Sequence, residues 1–456
     1  MNEKSIKNGR FQSVMKSGIY ASLDIGTTSI KVIVAEVFNG QINVIGVGNE
    51  RSKGLSRGMI IDIDQTAASI QRAVQQAEDK ADIKINELIV GIPANDLNMN
   101  SCYGSISINQ NQQEITNQDV KSVIEKAIEG SLNQGREVLS LRQDEFIVDG
   151  FDEIKDPRGM IGNRIEFRGT ITSVPRSILH NIRKAVQKAG YGIQNIVLQP
   201  YALSQVALSE DERNFGALLV DMGGGQTSVA VIHENQIKHA HVIPEGGEFV
   251  TKGISIVLNT SIKNAEKLKR DVGHAFYGNA NPERTVSVEV VGQKDLAKFK
   301  ESYIAEIIEA RLEQIFEQLK FSIANVGADQ MPAGMIISGG TASLPGIHRL
   351  AEDIFNVPVS VYIPDFMSVR YPAFSNAIGL VIAETNLSEI DQLINDTVLV
   401  NTLSDRSNTS SVQAVVRDER QVEEPVEQTH QPAPANDEDK EPMSNKLKNL
   451  FSGFFD

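Results

Sequence analysis

The order of segments in this chain predicts a mixed α/β protein made of two similar halves around a cleft. Strand-like and helix-like segments alternate from Tyr20 to about Glu384, the pattern of α/β architectures. A unit of three closely spaced strands occurs twice, near the start of the chain and again after residue 216. Each unit carries the same local text, an aspartate at a strand end followed by a turn of glycines and hydroxyl residues.

In the first half, residues 19–24, 30–37 and 42–48 read as successive strands, followed by a helix over 65–80 and a strand over 87–92. Residues 167–174 read as a strand and 176–189 as a helix; 194–198 read as a strand and 202–208 as a short helix. An insert over 86–166, with its own strands and a helix over 117–129, interrupts this half and is large enough to be a subdomain. The second half restarts with strands over 217–221, 228–232 and 239–242. A long helical stretch over 298–325 carries a stripe of Ile304, Ile307, Ile308, Leu312, Ile315, Phe316 and Leu319. Segments 335–338, 345–355 and 359–363 complete the second half.

Composition narrows the function classes. At 456 residues the chain is long for one core. It has no run of about 18 apolar residues, so nothing in it reads as a membrane span. Residues 1–17 contain scattered Lys and Arg without an apolar core and read as a flexible arm rather than a secretory signal. The single cysteine, Cys102, excludes an internal disulfide, fits a reducing cytosol and reads as a small buried residue. A net charge of −15 argues against nucleic acid as a partner. Part of that excess is local: residues 403–442 hold ten Asp and Glu against four Lys and Arg. Regular patterning decays after Glu384, so 386–442 reads as a disordered linker, with a reach of roughly 40 Å.

Two turns carry the chemistry. In the first, Asp24 precedes Gly26, Thr27 and Thr28, with Lys31 in the next strand; in the second, Asp221 precedes Gly223, Gly224, Gly225 and Thr227. Glycines let backbone N–H groups face a phosphate with no Cβ in the way. The hydroxyls add donors, and Lys31 can neutralise phosphate charge. Asp24 and Asp221 suit Mg²⁺ bound through water, because that ion dehydrates reluctantly. A third stretch, Gly339, Gly340 and Thr341 at the end of a strand, would let a flat base or a ribose approach the backbone. Glu266 and Lys269 lie one helical turn apart and either hold a ribose or base edge or form a solvated ion pair.

The two hairpins and the Gly339–Thr341 stretch resemble the phosphate-1, phosphate-2 and adenosine motifs of the actin–Hsp70–sugar kinase superfamily. Gln199-Pro200-Tyr201-Ala202, and Tyr371-Pro372 leading to Asn376-Ala377 and Gly379, resemble its two connecting motifs. Within the superfamily the chain resembles the FtsA family of bacterial cell-division proteins over 18–384 and in its terminal segment. The resemblance implies an actin-like ATPase fold, with two RNase H-like halves around a nucleotide cleft that binds ATP and Mg²⁺. It implies subdomain 1A over 18–85, 167–200 and 366–385, and an inserted subdomain 1C over 86–166. Subdomain 2A would then cover 201–245 and 310–365, and subdomain 2B 246–309. Gln199 stands where actin-like ATPases orient a water, but the family varies there, which implies weak or no ATPase activity. Also implied are self-assembly into filaments, contact with other division proteins through 1C, and docking of the FtsZ C-terminal peptide on 2B near Lys267, Arg270 and Arg311.

The segment 443–456 reads as an amphipathic helix. Leu447, Leu450, Phe451, Phe454 and Phe455 fall on one helical face beside Lys446 and Lys448. A greasy helix after a polar linker suits the anionic inner leaflet of a membrane, which would make the protein a peripheral one at the division septum. Two rival readings belong to other classes: an ATP-dependent phosphotransferase, and a pilus-assembly-type adaptor of the same fold. The phosphotransferase needs a carboxylate base, and no third acid stands out. The adaptor leaves the terminal helix without a purpose.

Overall fold

In the computed structural model, residues 15–108, 114–131, 133–328 and 331–404 are described. The expected membrane helix over 443–456 and most of the expected linker lie outside them.

The first half opens with β1 (Gly18–Ile25), β2 (Ser29–Phe38) and β3 (Gln41–Arg51), an antiparallel meander. A small hairpin, β4 (Leu55–Ser56) and β5 (Met59–Ile60), leads to α1 (Ile63–Ala81), which is capped by the Asp62 carboxylate, and then to β6 (Glu87–Ile92). Next come β7 (Asn98–Ser107), α2 (Asn117–Glu129), β8 (Arg136–Val148), β9 (Phe151–Ile154) and β10 (Arg164–Pro175). The chain continues through α3 (Arg176–Lys188), β11 (Gly192–Leu198), α4 (Gln199–Ala207) and α5 (Glu210–Phe215). The second half repeats the plan with β12 (Ala217–Met222), β13 (Thr227–His233) and β14 (Gln236–Ile243). After them come α6 (Gly247–Val257), α7 (Ile262–Val272), the hairpin β15 (Thr285–Val288) and β16 (Ala297–Lys300), and α8 (Glu301–Ala324). The chain ends with β17 (Met335–Ser338), α9 (Ile347–Phe355), β18 (Val359–Val361), α10 (Ser375–Thr385) and α11 (Glu389–Ser404).

The two main sheets have the same topology. Their orders are β3-β2-β1-β6-β11 and β14-β13-β12-β17-β18, each an antiparallel meander followed by two parallel strands. Helices cover both faces of the first sheet, so β2 reads as an almost continuous apolar run. Its alternation still shows in the packing. Ile30, Val32 and Val34 join α1 and α3 in one core, while Ile33, Ala35 and Val37 join α10 in another. The two connecting motifs meet where α4 crosses α10. A Cβ on Gly379 would lie 2.2 Å from the Ala202 carbonyl oxygen, so only glycine allows that approach.

Several expected boundaries are corrected. The strand expected over 167–174 belongs to the insert: β10 pairs with β7 and β8 in a separate sheet ordered β7-β10-β8-β9. Conversely β6, placed inside the insert by the boundary at 86, pairs with β1 in the main sheet. An apolar strand has the same local pattern in either sheet, so its partner is set by contacts distant in sequence. The expected linker beginning at 386 starts with a helix, α11, whose Ile390, Ile394 and Val398 are buried in the insert's core. The helix expected from 298 starts at Glu301, because Ala297–Lys300 forms the second strand of a hairpin that the sequence reading lacked. Cys102 is buried in the insert, and burial pushes its thiol up to about 11.

Candidate functional site

The twin sheets point the ends of their central strands at one cleft. In β1, Asp24 lies opposite Lys31 of β2, and the Lys31 ammonium sits 3.3 Å from the Asp24 carboxylate with both side chains buried. The other Asp24 oxygen accepts a hydrogen bond from Gln199 Nε2 at 2.7 Å. Gln199 enters the site because it begins α4 directly after β11, and it holds Asp24 in place.

Asp221 occupies the matching position in β12, between Ser228 of β13 and Ser338 of β17. Asn376, at the start of α10, donates to its carboxylate at 2.8 Å. Burial, with a smaller contribution from the charge of Asp24, pushes the Asp221 carboxyl up to about 6; Asn376 and Lys31 offset only part of this. Two carboxylates brought to one cleft from opposite halves are the donor chemistry a divalent cation would relieve.

The hairpins themselves almost touch. A Cβ on Gly224 would fall 1.7 Å from Thr28 Oγ1, so any larger residue there would push the Thr28 side chain aside. Thr28 donates to Glu248 of α6 at 3.3 Å, which joins the halves directly. The carbonyls of Gly223 and Gly224 accept from the Gly247 and Glu248 N–H groups at the start of α6. Thr341 also donates to Gly223 O, at 2.8 Å, so its hydroxyl braces the second hairpin. Gly339 has a φ of +95°, and a Cβ there would lie 2.4 Å from Asp221 Oδ1. The glycine therefore brings the third stretch against the second aspartate.

Farther out, Lys269 Nζ lies 2.8 Å from each of Gly247 O, Thr251 Oγ1 and Glu266 Oε2. Burial opposes charge on Glu266, but Lys269 and hydrogen bonds from Lys269, Thr251 and Arg270 hold its carboxyl below the usual range. The pair is a partly buried, internally bonded wall of the cleft rather than a solvated surface bridge.

Together these residues line a cleft of about 1630 Å³. Asp24, Gly26, Thr27, Thr28, Lys31, Gln199, Asp221, Gly223, Gly224, Gly225, Glu266, Lys269, Gly339, Gly340 and Thr341 all reach it. Thr227 does not. It is fully buried and donates to Glu245 O at 2.8 Å, because strand alternation turns it away while Ser228 faces the cleft. The sequence reading missed Ser228, Asn376 and Glu248 as site residues. Ser228 was recoverable from alternation past Asp221, and Asn376 already stood in a quoted motif. Glu248 is an acid that did not stand out in the sequence, since only the fold places α6 against the first hairpin.

Of the three cations expected to meet a partner peptide, Arg311 is unsuited to it. Its side chain is almost wholly buried and stacks over Phe249, 4.4 Å from the ring centroid. Lys267 is exposed, and Arg270 is exposed at the cleft edge.

Among the described residues no helix is long and apolar enough to cross a membrane. Solved structures with this fold include a PilM–PilN type IV pilus biogenesis complex, with a TM-score of 0.53 and 16% identity. That match covers 81% of this chain and 99% of the other. MreB5 of Spiroplasma citri bound to ADP matches with a TM-score of 0.52 and 15% identity, over 79% of this chain and 94% of the other. At such identities the likeness establishes the actin-like ATPase fold alone. Sequence comparison goes further. The model of the cell division protein FtsA family matches residues 218–379, and that of the SHS2 domain inserted in FtsA matches 94–173, in keeping with the insert sheet. Cell division protein FtsA of Enterococcus hirae is 45% identical over 97% of this chain and 100% of its own length. Its counterpart in Bacillus subtilis is 40% identical over 80% of this chain and 82% of its own. The chain belongs to the FtsA family of cell division proteins.

Proposed function

We propose that this chain binds ATP with Mg²⁺ in the cleft, assembles with copies of itself into actin-like filaments, and tethers FtsZ filaments to the inner face of the cytoplasmic membrane. The tether is the amphipathic segment 443–456, the FtsZ peptide meets subdomain 2B, and the insert recruits later division proteins at the septum. The observation that carries the nucleotide reading is the pair of facing hairpins, each with an aspartate at its strand end, closed on one another to glycine distance. MreB5, which shares the fold, is a structure bound to ADP.

The residues present fit the group. Hairpin amides at 26–28 and 223–225 would receive the phosphates, and Asp24 and Asp221 would face Mg²⁺ through water. Gly339, Gly340, Glu266 and Lys269 would border the ribose and base. Mg²⁺ would neutralise phosphate charge when bound, relieving the two carboxylates. Gln199 holds Asp24 through its Nε2, so its contribution to the site includes fixing the first aspartate.

The test is nucleotide affinity. Asp221→Ala should weaken binding of Mg-ATP at least about tenfold, a loss of about 1.4 kcal/mol. The expected effect on ATP in EDTA is much smaller. Equal affinities of variant and parent for Mg-ATP would remove the metal assignment.

A further inference from the structure

The second phosphate hairpin reaches beyond the cleft. Gln226 lies between Gly225 and Thr227, and its carbonyl accepts from Gly223 N–H at 2.9 Å, closing the turn. Its side chain crosses to the first half and packs on Gly58, where a Cβ would lie 1.9 Å from Gln226 Oε1. The same oxygen accepts from Asn95 Nδ2 at 3.3 Å. Asn95 is the root of the insert, since β6 ends at Ile92 and β7 begins at Asn98.

That root is rigid. Asp96 turns the chain with a φ of +49°. Arg136 of β8 donates to Asp96 O and lies 3.3 Å from its carboxylate. The same guanidinium donates to Ser173 O at 2.7 Å and to Ser173 Oγ at 3.1 Å. One arginine thus ties together the strands by which the chain enters and leaves the insert. Asn95 Oδ1 is buried with no hydrogen-bond partner among the described residues, so the root holds an unmet acceptor beside the hairpin.

We propose that the insert senses the occupancy of the nucleotide cleft through the contact between Gln226 and Asn95. This rests on the nucleotide reading above. The hairpin belongs to the second half and the root to the first, and the Gln226 amide sits between Gly58 and Asn95. Any shift of the hairpin against the first half therefore moves Gln226 against Asn95. The Arg136 clamp then carries the displacement into β8 and β10 as a unit. The coupling is local and contiguous, with each step a packed or hydrogen-bonded contact.

The experiment is amide hydrogen exchange on the full chain, with and without Mg-ATP, with ATP affinity measured on the same samples. In the parent protein, Mg-ATP should slow exchange in β7 and β8 about fivefold or more, the lower range for coupled sites. Asn95 does not line the cleft. Asn95→Ala should therefore keep its ATP affinity and its nucleotide-free exchange in the insert, yet lose the ATP-dependent slowing. Slowing that survives in Asn95→Ala would overturn the inference. So would a parent protein that binds ATP without any change in the insert. A parent protein that fails to bind ATP would instead defeat the nucleotide reading, and the affinity measurement shows which of the two has failed.

Discussion

Asp221 concentrates the electrostatic strain of this site. Its carboxyl is raised from 3.8 to about 6, so below about pH 4 the folded and unfolded states are both protonated there and nothing is lost. Between those values the folded state binds more protons than the unfolded one, and stability falls as pH rises. Above about pH 6 the full cost is present, up to about 3 kcal/mol for a shift of this size. Asp221→Asn keeps an oxygen for Asn376 and removes the charge. In EDTA and without nucleotide, denaturant unfolding should show this variant more stable than the parent by about 1–3 kcal/mol at pH 7.5. The difference should vanish near pH 4. A parent protein as stable as the variant at pH 7.5 would mean that Asp221 is already relieved by its neighbours. Residue types announced the two aspartates and the glycines in the sequence. They could not announce Asn376 or Glu248, whose roles depend on α10 and α6 arriving from elsewhere in the chain.

At the scale of elements, what was legible depended on how local the signal was. The meanders, α1 and the two glycine turns were read correctly because strand alternation and turn glycines are local properties. The membership of β10 was not, since both candidate sheets accept the same apolar strand. Helix α11 was hidden for a different reason. Its buried stripe is narrow, with Ile390, Ile394 and Val398 spaced one per turn, and Asn, Asp and Thr fill much of the rest. Such a segment draws its helicity from docking rather than from propensity. It packs on the insert, whose Arg158 lies 3.4 Å from Glu389, and is also bound from outside the insert, where Lys16 donates to Gln392 at 2.5 Å. Ile394 is 1% exposed. Ile394→Ala should therefore cost about 2–4 kcal/mol at this docking site. Hydrogen exchange should report it as faster exchange in α11 and in the facing strand β8. If exchange accelerates in neither, α11 is not held by its buried stripe.

At the scale of the molecule, α11 moves the start of the proposed tether. The first half ends its own core with α10, but the chain then lies on the insert as far as Ser404. Read from composition as disordered chain, 405–442 would span roughly 35 Å. That exceeds the Debye length of about 8 Å at physiological salt. A head that contributes most of the net charge of −15 could thus sit below an anionic membrane without strong repulsion. On the proposed reading, one copy of 443–456 would bind weakly as a helix, because partial burial of five apolar side chains is opposed by the cost of ordering it. Filaments would multiply that weak contact through avidity. Two consequences can be measured with vesicles containing anionic phospholipid. Deleting residues 446–456, or substituting Phe451→Glu, should reduce flotation to background while leaving ATP affinity intact. For the unaltered chain, flotation with Mg-ATP should rise more steeply than linearly with protein concentration once assembly begins. Flotation that persists in both variants would place the membrane contact on another surface. A strictly linear dependence would leave a single tail to hold the head alone, which the magnitudes above do not support.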